Sequence, residues 1–254
     1  MLYLCSHSTK RFNYHFCCDA CQTIHSAPTL DFVNRYGESH DFVVAVGGGS
    51  VIDSAKIIAK KRIIAVPTTL AGASQTKHAV YWDNMRKCNY KTKATVTTLL
   101  FPEWMKSLPE EILMDTYADC YSHYVEGSIS VKSNSLSKHY IDCATQLLKS
   151  EEITDLLNAS ILIGNVVELV GTNLIHALSY PITGFYGIPH GRALRYVLPR
   201  VCEHFGIPCP VKPFYFTFDV ERVVDEALTY SKVYQSKFDV DKKVLMEIMK
   251  SGFV

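Results

Sequence analysis

Four residues between positions 119 and 190 have the types and spacing of a metal site. Asp119 and His123 stand four positions apart in YADCYSHYVEG, and His176 and His190 stand fourteen apart in HALSYPITGFYGIPHG. Four-residue spacing puts Asp119 and His123 on one helical face, with Glu126 one turn further on. One carboxylate and three imidazoles are a ligand set for a single divalent cation with an open position. Such a cation polarises a carbonyl and stabilises the alkoxide that develops from it. Taken singly, a D-x-x-x-H pair is also an ordinary surface ion pair or helix cap. The further histidines, His176 and His190, favour the ligand reading.

The elements that would position these residues divide the chain in two. Asp41 to Val46 (DFVVAV) is a β-branched apolar run that reads as a strand buried on both faces. Gly47-Gly48-Gly49-Ser50 follows, then a helix with Ile52, Ala55, Ile58 and Ala59 at helical spacing and Ser50 as its N-cap. Strand, glycines and helix N-terminus form a phosphate cradle, because the backbone lies open and the helix end offers free N–H groups. The same turn also serves simply to pack a strand on a helix. A second buried strand, Arg62 to Val66, leads into Pro67-Thr68-Thr69-Leu70, at the strand's carboxyl end where α/β sheets bind ligands. His78 to Val96 reads as a β-hairpin turning at Asp83-Asn84, on which Lys87 and Lys91 could face a phosphate.

From Pro102 helical periodicity takes over, and the boundary is expected near residue 106, dividing the chain into 1–106 and 107–254. Leu108-Pro109-Glu110-Glu111 opens a helix, and the apolar span Ala159 to Tyr180 reads as a buried helix ending around His176. Residues 1–40 are the least legible. Cys18 and Cys21 form one C-x-x-C, half of a zinc site, and a Cys-rich loop and helix is the preferred reading.

Composition sets the frame. Apolar content of 48%, charged content of 20% and a net charge of +1 suit a soluble globular protein and give no electrostatic case for nucleic acid or an anionic membrane. The nine scattered cysteines, without a signal-like N-terminus, are expected as reduced thiols in the cytoplasm.

Together the motifs resemble the iron-containing (group III) alcohol dehydrogenases. GGGSVIDSAK at 47–56 resembles the family's GGGSxxDxAK, AVPTT at 65–69 its cofactor loop, Asp119 and His123 its DxxxH, and His190 its PHG. HALSYPITGFYGIPHG looks closest to the phosphonoacetaldehyde reductase subgroup. The resemblance implies a dehydroquinate synthase-like fold. Its α/β N-terminal nucleotide-binding domain, here with an incomplete parallel sheet, would precede an all-α metal-binding domain. It implies that Gly48, Gly49, Ser50, Asp53, Thr68 and Thr69 bind NAD(H) or NADP(H). It implies that Asp119, His123, His176 and His190 hold Fe²⁺ or Zn²⁺. The reaction would interconvert a small aldehyde, such as phosphonoacetaldehyde, and its primary alcohol. A second copy of the chain, in a homodimer, is the only macromolecular partner expected.

Departures from the family pattern accompany it. The glycine triplet begins at residue 47, about half the family's usual distance from the start, so the first strands of the nucleotide fold are expected to be missing. The family's GTGSE is here Gly72-Ala73-Ser74-Gln75-Thr76. Where many members carry a second histidine four after the first, this chain has Tyr180, which could donate the proton instead. Arg192 and Arg195 could pair with a phosphonate. Two alternatives stand beside the oxidoreductase: a truncated homologue that keeps metal without redox activity, and a dehydroquinate-synthase-like lyase, whose GGG turn and PTTL stretch are similar.

Overall fold

The computed structural model describes residues 1–6 and 21–251. The C-x-x-C at Cys18 and Cys21 rests on side chains outside that set. The strands are β1 (Leu2–Ser6), β2 (Cys21–Ile24), β3 (His40–Gly47), β4 (Ala59–Pro67), β5 (His78–Asp83), β6 (Arg86–Lys91) and β7 (Thr95–Thr98). Five of them make one all-parallel sheet in the order β2-β1-β3-β4-β7, and β5 pairs with β6 as an antiparallel hairpin.

Two expectations are corrected here. Strands do precede the glycine turn: β1 pairs directly with β3, placing Leu2 beside Val43. The Thr95–Thr98 segment leaves the hairpin and joins the parallel sheet beside β4, with Val96 opposite Ile63. The sheet is buried on both faces, as a parallel sheet requires. Val43, Ala45 and Ile63 pack on one side with Val51, Ile52 and Ala55 of α2 (Gly49–Ile58). Val44, Val46 and Val66 pack on the other with Trp104. Helix α2 ends at Ile58 and Ala59 already belongs to β4, so the connection has no loop. Its N-cap is Gly48, not Ser50, which lies inside the first turn.

Apart from α2 and the short α1 (Leu30–Tyr36), the helices follow the sheet. They are α3 (Pro102–Met105), α4 (Glu110–Ile129), α5 (Ser135–Leu147), α6 (Ile153–Val170), α7 (Leu174–Tyr186), α8 (His190–His204), α9 (Val220–Leu228) and α10 (Lys242–Lys250). Helix α4 opens behind Pro109 with Glu110 and Glu111 in its first turn, which suits the helix dipole. The apolar span read as one helix is two. Gly171, at φ +73°, ends α6, and the Asn173 side chain accepts from the Leu174 N–H to start α7. His176 therefore lies in the first turn of a new helix rather than at the end of an old one. Helix α6 is long and apolar enough to cross a membrane by length and composition. Here Leu157, Ile163 and Val166 are buried, and its residue Gly164 abuts the Gly72 loop. Cys88, Cys120, Cys143, Cys202 and Cys209 are free thiols.

Candidate metal centre

Three elements bring the four candidate ligands together. Helix α4 carries Asp119 and His123, α7 carries His176, and α8 begins at His190 behind Pro189. The approach of α8 to α4 depends on Gly191, because a Cβ there would stand 2.5 Å from the Asp115 carbonyl oxygen. Glycine at this position is thus a packing requirement that sets where His190 can point.

The Nε2 atoms of all three histidines converge on one carboxylate oxygen. Asp119 Oδ1 lies 3.2 Å from His176, 3.7 Å from His123 and 3.9 Å from His190. Ligand atoms about 2.1 Å from a tetrahedral ion stand roughly 3.4 Å apart, so these separations bracket the spacing such an ion needs. The other ring nitrogens are largely assigned. His176 Nδ1 meets Glu126 Oε2 at 2.8 Å, and His123 Nδ1 meets the Ala71 carbonyl at 3.2 Å. Each of those contacts directs Nε2 toward Asp119, the orienting arrangement typical of metal-bound imidazoles. His190 Nδ1 is buried without a hydrogen-bond partner among the described residues. The His123 and His176 rings stack at 4.5 Å and 9°, which fixes both planes. Asp119, His123 and His176 present ligand atoms all within 4.8 Å of one another, which fits a divalent cation, and His190 stands beside that group, 3.9 Å from Asp119.

Glu126 is the residue that spacing alone did not assign. It is fully buried, and its second oxygen accepts from the His176 backbone N–H at 2.8 Å. One carboxylate thereby holds both the ring and the backbone of a candidate ligand.

Electrostatics follow from this packing. Burial works against the Asp119 carboxylate, but three imidazoles outweigh it and hold the group far below its ordinary range. Burial pushes His123 down to about 4. Burial and the Lys87 cation keep His190 well below its usual value. Burial also opposes charge on His176, yet Glu126, Tyr180 and Asp119 prevail and push it up to about 10. Burial thus favours the neutral form of His123 and His190, whereas the groups around His176 favour its protonated form. Lys87 Nζ, 3.2 Å from His190 Nε2, competes for one of those lone pairs. Lys91 is exposed.

A cavity of about 920 Å³ joins this cluster to the end of the sheet. Gly49, Ser50, Asp53 and Thr69 border one end; Gly48 and Thr68 do not line it. The α2 N-terminus has no side-chain cap, and a Cβ added at Gly49 would meet nothing within 4 Å, so the backbone is open there, while the Val51 and Ile52 N–H groups donate to the Gly48 carbonyl. Burial raises Asp53 to about 6 despite the Lys56 charge. Lys56 is fully buried and donates to the Ala73 and His78 carbonyls at 2.7 and 2.8 Å, pinning the loop after β4 to α2.

Tyr180 stands between the metal cluster and the far end of the cavity. Its ring centroid is 6.0 Å from that of His176 and 5.8 Å from that of His190. Burial would raise its phenol, but Lys232, Lys87 and His176 draw it down to about 7. Arg192 and Arg195 are placed differently from the expectation. Neither lines the cavity. Arg192 Nε is 3.2 Å from Asp115, and Arg195 is held by Asp115 at 3.0 Å and Glu111 at 2.9 Å.

Residues 114–213 match the C-terminal region of the Fe-containing alcohol dehydrogenase family, and residues 18–105 match iron-containing alcohol dehydrogenase. The chain is 28% identical over 194 residues to 4-hydroxybutyrate dehydrogenase of Clostridium kluyveri, covering 61% of this chain and 52% of that one. It is 26% identical over 213 residues to phosphonoacetaldehyde reductase of Streptomyces viridochromogenes, covering 65% and 53%. The chain spans about half the length of the curated relatives it matches. It shares its fold with the crystal structure of sulfoacetaldehyde reductase from Bifidobacterium kashiwanohense in complex with NAD⁺. There the TM-score is 0.79 at 18% identity, with 98% of this chain and 89% of that one covered.

Proposed function

This chain belongs to the iron-containing alcohol dehydrogenase family, and on that premise we propose that it is a metal- and NAD(P)-dependent oxidoreductase. It interconverts a small aldehyde and its primary alcohol. The observation that carries the proposal is the convergence of three imidazole Nε2 atoms on Asp119 at one side of a cavity whose other end is an uncapped helix N-terminus. Residues 1–106 serve the nucleotide and residues 107–254 serve the metal.

Bound here, Fe²⁺ or Zn²⁺ supplies a Lewis acid for the carbonyl oxygen, and NADH or NADPH supplies the hydride. Asp119, His123, His176 and His190 hold the cation, with a single carboxylate among them, so the site keeps net positive charge. Glu126 orients His176, and Ala71 orients His123. The backbone at Gly49 and Ser50 receives the pyrophosphate, with Gly48 giving backbone room and Thr68, Thr69 and Asp53 framing the nucleotide. Tyr180 donates a proton to the product oxygen. Lys232, which donates to its hydroxyl at 3.1 Å, holds that group in place. Arg192 and Arg195 pair with Asp115, which supports a positioning role for them. Similar proteins named for 4-hydroxybutyrate and phosphonoacetaldehyde support a small aliphatic substrate. The proposal places the reaction in the cytoplasm and the chain in a homodimer.

The test combines metal analysis of purified protein with NADH and NADPH oxidation against a panel of aldehydes. Aldehyde-dependent oxidation that disappears with a chelator and in His176→Ala is expected. Metal-loaded protein that oxidises neither nucleotide with any aldehyde would overturn the proposal.

A further inference from the structure

Beyond Tyr180 the cavity continues to a half-buried lysine whose bonding is incomplete for its charge. Lys232 lies in the 3-10 turn Ser231–Gln235, after α9. Its Nζ donates to Thr172 Oγ1 at 3.0 Å and to Tyr180 OH at 3.1 Å. Among the described residues no carboxylate forms an ion pair with it. The Tyr180 phenol and, behind it, Glu126 favour its charge, and Glu126 has both oxygens engaged by His176. An ammonium has three N–H donors, and with two of them on Thr172 and Tyr180 one is left for an anion in the cavity.

The surroundings leave room for that anion. Thr172, Ser231, Lys232 and Gln235 all line the cavity. Gly171 turns the backbone beside Thr172, and a Cβ added there meets nothing within 4 Å. A second cation, Lys87, lies 4.2 Å from the face of the Tyr180 ring, and Lys232 lies 4.7 Å from the same centroid. That ring in turn borders His190 at 5.8 Å. The metal cluster and Lys232 therefore both border one phenol ring, within reach of a single short chain. The arginines on α8, by contrast, already carry their own carboxylates.

We propose that Lys232 and Thr172 form an anion subsite at the far end of the catalytic cavity, so that the preferred substrate is a short aldehyde bearing a terminal acid group. This inference rests on the oxidoreductase reading of the same cavity. The acid tail accepts from the Lys232 ammonium and the Thr172 hydroxyl, and the carbonyl end reaches the metal cluster. Carboxylate, phosphonate and sulfonate share this chemistry, since each is an oxyanion that takes charge-assisted hydrogen bonds.

The experiment has a binding arm and a kinetic arm, both on the full chain. Succinate and phosphonoacetate are titrated calorimetrically into wild type, Lys232→Met, Lys232→Arg and Thr172→Val, without nucleotide or aldehyde. In parallel, kcat/KM is measured for 4-oxobutanoate, phosphonoacetaldehyde and butanal. The subsite predicts that Lys232→Met weakens anion binding by about tenfold or more. It also predicts that the acid-to-butanal ratio of kcat/KM falls by a similar factor, with Lys232→Arg retaining most of both. Which anion binds more tightly identifies the acid group. Equal anion binding by wild type and Lys232→Met, or no binding by wild type, overturns the proposal. So does a loss in Lys232→Met that is the same for butanal as for the acids, because that marks a role through Tyr180. Absence of turnover with every aldehyde counts against the oxidoreductase reading, and the calorimetric arm then decides the subsite alone. Should Lys232→Met fail to fold, Thr172→Val makes the same comparisons with the charge intact.

Discussion

Glu126 shows most clearly how much one side chain can govern. Both its oxygens serve His176, one the ring and one the backbone. Replacing it with glutamine removes the charge that steadies the imidazole, and outer-shell changes of this kind cost about 10–100-fold in metal affinity. A competition titration against a chelator checks this for Glu126→Gln. Lys87 works in the opposite sense, because its ammonium stands at His190 Nε2 where a ligand lone pair is needed. Lys87→Met is expected to tighten divalent-ion binding by roughly tenfold, in keeping with about 1 kcal/mol or more for a charge a few ångströms away. The same titration reads that change. The four ligand candidates were legible in sequence because D-x-x-x-H, H-A-L-S-Y and P-H-G are local patterns. The contacts of Glu126, Lys87 and Lys232 were not, because their partners lie 50, 103 and 60 residues away and spacing carries no sign of them.

Among the elements, legibility followed burial. The runs within β3 and β4 announced themselves through consecutive β-branched apolar residues, the mark of strands covered on both faces. Thr95–Thr98 carries three threonines and one valine, so its membership of the sheet is visible only from its pairing with β4. The break between α6 and α7 hid inside an apolar span, although Gly171 and Asn173 are the usual end and start signals. One contact between elements makes a sharp prediction. Gly164 on α6 lies so close to the Gly72 carbonyl and the Gln75 side chain that an added methyl has nowhere to go. Gly164→Ala is expected to destabilise the protein by about 1–3 kcal/mol. It should also loosen nucleotide binding, because Gly72 lines the cavity. Urea unfolding and an NADH fluorescence titration measure the two effects.

At the scale of the molecule, the sheet end and the helical cluster are coupled through one hydrogen bond. His123 Nδ1 reaches the Ala71 carbonyl, and Ala71 belongs to the loop that follows β4 and borders the cavity. Lys56 clamps that loop from the other side through Ala73 and His78. Metal and nucleotide should therefore help each other bind, and the coupling must be reciprocal. Nucleotide affinity measured with and without divalent ion should differ several-fold in wild type and become equal in His123→Ala. Asp119, His123, His176 and His190 are expected together to hold one divalent cation. This is tested most directly by anomalous X-ray diffraction from crystals grown with Fe²⁺ or Zn²⁺, recorded on both sides of the metal's absorption edge. A single anomalous peak at bonding distance from Asp119 and the three Nε2 atoms is predicted, with none in His176→Ala crystals. A peak elsewhere, or none between these four side chains in metal-loaded crystals, would contradict it.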